Sequence, residues 1–138
     1  MMGTVYEEIT LKNVADLTRV EEGLIKESGI RQMTLRCVVD TGAGTLVISE
    51  AVQNELGLRT KRVRESTLAN GEKTACKIAE TVEIQWKDRS MTCEPWVLPE
   101  APEVLLGAIP LENMDLMVDP MERKLVGVHG DQPVGMIY

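Results

Sequence analysis

The chain has 138 residues, 43% of them hydrophobic, with 15 basic and 22 acidic residues and a net charge of −7. That length suits one domain, spanning residues 1–138, with a modest core and no deep internal cleft. The acidic balance argues against a nucleic-acid partner.

The opening "MMGTVYEEITLKN" has no basic-then-apolar leader. No apolar run nears the roughly 18 residues needed to cross a bilayer, so a cytoplasmic protein with no membrane partner is expected. Residues 4–12 mix β-branched and polar side chains and predict a strand. Residues 32–40 alternate: Met33, Leu35, Cys37 and Val39 face one way, and Thr34, Arg36, Val38 and Asp40 the other. "TLVIS" (45–49) predicts another strand. In "SEAVQNELG" Ser49 can cap a short helix, Val52 and Leu56 share a face, and Gly57 ends it. The basic cluster "RTKRVR" (59–64) reads as a solvated turn. "TVEIQW" puts Val82, Ile84 and Trp86 on one face, "MTCEPWVLP" follows across the turn "KDR", and "LMVDP" and "KLVGV" form a final hairpin around "MER".

These pieces amount to about eight or nine strands and one or two short helices, the spacing of an all-β barrel or sandwich. Cys37, Cys76 and Cys93 are odd in number and fit neither a disulfide framework nor a zinc site. They read as small buried groups in a reducing compartment. No metal and no cofactor are expected. His129, the only histidine, reads as a surface-loop residue rather than half of a nucleophilic pair.

The segment "RCVVDTGAGTLVIS" (36–49) carries the chemistry. Asp40 stands where one apolar strand ends and another is about to begin. It could be a turn aspartate bonding its own backbone. It could instead be a carboxylate kept near apolar surroundings for a task, since burying one is costly without partners. Gly42 lets the backbone approach closely and offers its N–H to a carboxylate. Thr41 brings a hydroxyl, or is simply a β-favouring residue at a strand end.

Asp40-Thr41-Gly42-Ala43, between "CVV" and "TLVIS", resembles the active-site turn of retroviral-type aspartic proteases. Later segments fall in that family's order. "TLANGEKTA" (67–75) centres on the hairpin signal Asn70-Gly71 where the family has its flap. Leu105-Leu106-Gly107 resembles its apolar-apolar-Gly segment, ahead of a short helix and terminal strands. The similarity covers residues 30–128 and is closest to single-domain cellular members. It implies a closed retropepsin-like β-barrel with a flap hairpin and one or two short helices.

The resemblance further implies an aspartic endopeptidase. Only one Asp-Thr-Gly is present, so a C2 homodimer would bring two copies of Asp40 together. Thr41 would bond across to the partner, and Asn70, Gly71 and Glu72 would close over a peptide or protein substrate. Gly44, Leu106 and Gly107, with Ala43, would line the channel. Two readings compete. A phosphate-cradling turn of an actin-like ATPase has suitable letters, but needs two large lobes that 138 residues cannot supply. A catalytically silent, dimeric peptide-binding module would keep the fold without the reaction.

Overall fold

A computed structural model describes residues 3–67 and 70–130. In chain order the elements are β1 (Val5–Asn13), α1 (Val14–Glu21), β2 (Gln32–Val39), β3 (Leu46–Ile48), α2 (Glu50–Glu55), β4 (Thr60–Thr67), β5 (Lys73–Ala79), β6 (Val82–Trp86), β7 (Arg89–Cys93), β8 (Trp96–Val97), β9 (Val104–Leu106), α3 (Ala108–Asn113), β10 (Leu116–Asp119) and β11 (Lys124–Gly127). Nine strands share one sheet in the order β4-β5-β8-β3-β9-β2-β1-β6-β7, and β10 pairs with β11. The sheet curls into a half-barrel. The expected closed barrel is not formed among the described strands, because β4 and β7 stand at opposite edges of the order.

Period-two patterning builds the central strands. Val5, Ile9 and Leu11 of β1 are buried and face Val39, Leu35 and Met33 of β2 in antiparallel register. Glu7 lies in the same inward row. Its carboxylate is satisfied there by the Trp86 indole N–H at 3.1 Å and the Leu125 backbone N–H at 2.7 Å, which removes the penalty of an unpaired acid. β6 repeats the alternation, burying Val82, Ile84 and Trp86. One core cluster gathers these residues with Leu46, Ile48, Val97, Leu106 and Leu111.

The strand expected near the start is β1, a central strand between β2 and β6, and α1 follows it directly. One expectation changes. "RTKRVR" is no turn but the start of β4, an edge strand whose exposed residues show no burial alternation. The last described pair of β4 and β5 is Thr67↔Lys73. Gly71 takes a φ of 86°, and the Asn70 side chain accepts from the Glu72 N–H at 3.0 Å. Positions 68 and 69 lie outside the described residues, as does the apolar ending "PVGMIY". Among the described residues, no helix is long and apolar enough to cross a membrane.

Candidate active site

The turn after β2 is built by what enters between its flanking strands. β2 and β3 leave one gap, and β9 fills it, parallel to β2 and antiparallel to β3. The Asp40 N–H donates to Leu106 O at 3.0 Å, continuing that pairing, and the Ala43 N–H closes the turn on Asp40 O at 3.0 Å. The first residues of α3 tie its far side: Ala108 N–H to Ala43 O at 2.8 Å and Ile109 N–H to Gly44 O at 3.1 Å. The turn is therefore gripped by backbone on two sides, independently of any side chain. The Gly42 N–H donates to Asp40 Oδ1 at 2.9 Å. This is the bond expected of Gly42, and it is also the local bond of an Asx turn, so by itself it does not separate the two readings of Asp40. Thr41 and Gly42 are exposed, and Asp40 is half-buried.

Cross-strand register says which residues share a face with Asp40, because directly paired residues point the same way. Val38 pairs with Leu105, Leu105 with Val47, Val47 with Trp96, Trp96 with Ile78 and Ile78 with Arg62. Asp40, two residues past Val38, falls on that side by alternation. The opposite face belongs to the core, where Leu46, Ile48, Val97 and Leu106 are fully buried. Next to the turn lies an apolar cavity of about 420 Å³ lined by Ala43, Gly44, Thr45, Val47, Trp96 and Ile109.

This placement sorts the expected site residues. Asp40, Thr41, Gly42, Ala43 and Gly44 form one turn, and Gly44 lines the cavity. Leu106 does not: it is buried in the core beneath the turn, and its neighbour Leu105 takes the Asp40 side. Gly107 also sits behind the turn, packed against the backbone of Ala43 and Thr45. Asn70, Gly71 and Glu72 lie at the end of the β4–β5 hairpin. Val47, Trp96 and Ile109 were not anticipated as lining residues. Trp96 faces Val47 only through a two-residue strand, too short for alternation to reveal its direction.

The three cysteines are free thiols. Burial is the main cause that pushes Cys37 and Cys93 up to about 12, so both stay protonated and act as packing groups. His129 is exposed and pairs through Nδ1 with Asp115 at 2.8 Å, in the segment after β11.

The fold and this turn are of retroviral protease type. The family model described as "gag-polyprotein putative aspartyl protease" matches residues 27–113, more than half of the chain, and the chain belongs to that family. Among solved structures, the retroviral protease-like domain of Ddi1 from Leishmania major aligns with a TM-score of 0.57 at 12% identity, over 91% of this chain and 89% of that one. This likeness speaks for the fold. The EIAV protease, complexed with the inhibitor HBY-793, aligns at 22% identity and a TM-score of 0.46, over 82% and 88% of the two chains. A retropepsin-like aspartic protease from Rickettsia conorii aligns at 19% and 0.45, over 85% of each. No curated protein matches the chain in sequence.

Proposed function

We propose that this protein is an aspartic endopeptidase that works as a C2 homodimer, with one Asp40 from each protomer. The observation that carries the reading is the turn itself. Backbone bonds from β9 and α3 hold residues 40–44 in place, while Thr41 and Gly42 remain exposed and an apolar cavity opens beside them. Such a turn is a fixed mount for a carboxylate that has to meet a second one.

The chemistry needs the pair. One carboxylate, ionised, takes a proton from a water as that water attacks the peptide carbonyl. The other, protonated, hydrogen-bonds the carbonyl oxygen. Two close carboxylates cannot both ionise readily, so they share one proton, as is established for aspartic proteases generally. Activity is accordingly greatest at mildly acidic pH. In this chain Thr41 is exposed at the turn, where its hydroxyl would bond the partner's turn. The β4–β5 hairpin with Asn70, Gly71 and Glu72 would cover an extended substrate, which pairs strand to strand. The 420 Å³ cavity would take an apolar substrate side chain. The free thiols suit a reducing, cytoplasmic setting.

The test compares wild type with Asp40→Asn by sedimentation and by digestion of a mixed peptide pool at about pH 5. The expected result is a dimer for both and cleavage by wild type alone. A dimeric wild type that cuts no peptide would leave a protease-like binding module as the better account. A wild type that remains monomeric at high concentration would remove the second carboxylate and the mechanism with it.

A further inference from the structure

Charge is unevenly divided in this chain. Residues 59–79, the β4–β5 hairpin and its approach, hold six basic residues and two acidic ones, although the whole chain is −7. The hairpin is thus a positive arm on a strongly acidic body. Five of its six cations are already paired with glutamates. Arg59 meets Glu80 at 3.4 Å, Lys61 and Arg62 share Glu94 at 2.6 and 3.0 Å, Lys73 meets Glu65 at 3.2 Å, and Lys77 meets Glu50 at 2.9 Å. Among the described residues Arg64 alone of the six has no such partner.

Arg64 also has a defined side. It pairs with Cys76, two residues from the Arg62↔Ile78 pair, so it shares the face of Arg62, Ile78, Trp96 and Val47. Lys73 and Lys77, by alternation along β5, lie on the other face from Cys76 and Ile78. Arg64 is therefore on the same face as the apolar cavity and the Asp40 turn, further out toward the hairpin tip.

We propose that Arg64 selects substrates in which an acidic side chain lies close to the apolar residue held in the cavity. This rests on the reading of the hairpin as the cover of a peptide-binding channel, and it names the substrate class: acidic peptides with an apolar centre. An arginine held on a strand presents a forked donor that matches a carboxylate. An acidic chain that must admit an acidic peptide also needs a local positive field to offset its own repulsion.

The test uses three labelled peptide pools with the same apolar centre, flanked by Asp/Glu, by Asn/Gln or by Lys/Arg. Binding is measured on the full-length Asp40→Asn protein and cleavage on wild type. The acidic pool should bind tighter than the neutral one at low salt by up to about five-fold, the upper end for an exposed ion pair, with the advantage shrinking as salt rises. In the Asp40→Asn background, Arg64→Glu should reverse the preference toward the basic pool and Arg64→Lys should retain part of it. Arg59→Glu, the same charge change at the paired start of the hairpin, should leave the order of preference as it was. Equal binding of the three pools overturns the proposal. So does an equal response to Arg59→Glu and Arg64→Glu, which would mean a diffuse field. A shift in sedimentation by Arg64→Glu without a change in preference also overturns it, since Arg64 would then serve the contact between protomers. Binding of the acidic pool through Arg64 with no cleavage of any pool sinks the protease reading and keeps this one. Cleavage of all pools alike does the reverse.

Discussion

A β-carbon on Gly107 would lie 2.6 Å from Ala43 O and 2.7 Å from Thr45 N, and closer still to Thr45 O. All three obstacles are backbone atoms of the Asp40 turn, so no side-chain rotation relieves them. Gly107→Ala is expected to cost about 3 kcal/mol of stability and to push the turn away from β9, with loss of cleavage. A denaturant melt and the peptide assay check both. Gly44→Ala supplies the contrast: a β-carbon there meets nothing within 4 Å, and stability should hold within about 0.5 kcal/mol. At this scale the bond from the Gly42 N–H to Asp40 was legible, because a Gly beside a strand end already signals close backbone approach, whereas Gly107, expected in the channel, lies behind the turn. The choice between Leu105 and Leu106 was not. Val104, Leu105 and Leu106 form an apolar run with no alternation of its own, and only the pairing with β2 and β3 decides which leucine turns toward the turn's open side.

Among the elements, α1 is held by one buried acid. Asn13 caps the helix by accepting from the Asp16 N–H at 3.1 Å, and its own amide donates to Leu56 O at 2.9 Å. The Asp16 carboxylate then receives Arg31 through its backbone N–H at 3.0 Å, Nε at 2.8 Å and Nη2 at 3.0 Å, and Arg19 Nη1 at 2.7 Å. The Arg31 side chain is the main cause that holds this carboxyl well below the usual range, against the opposing effect of burial. In the unfolded chain the same group returns to about 3.9. The stabilisation is therefore complete above that value and is lost as pH falls through the acid range, where the unfolded chain takes up a proton that the folded one refuses. Asp16→Asn should cost about 3 kcal/mol near neutral pH. In urea melts its gap from wild type should narrow between pH 5 and pH 3, and a constant gap would disconnect Asp16 from acid stability. The sequence announced β1, β2, α2 and β6 because each has one wet and one dry face. It hid α1, whose anchor is an acid 15 residues from its arginine, and β4, whose exposed residues carry no alternation.

For the whole molecule, the decisive quantity is how many Asp40 side chains one active unit needs. A sheet with a single Asp-Thr-Gly turn offers one per chain, so under the homodimer reading a protomer alone has no partner carboxylate. Two consequences follow from mass action. Specific activity should fall on dilution through the dimer dissociation range. When wild type and Asp40→Asn are mixed in equal amounts and allowed to exchange, random pairing makes only about one quarter of the dimers fully wild type. Activity per total protein should then drop to about one quarter of the pure wild-type value, whereas a monomeric enzyme would retain about one half. The mixing ratio separates these cases without knowledge of the substrate, because any peptide that is cut serves as the readout. A result near one half would mean that Asp40 works without a second copy of itself, and the shared-proton pair would have to be abandoned in favour of another group on the same face.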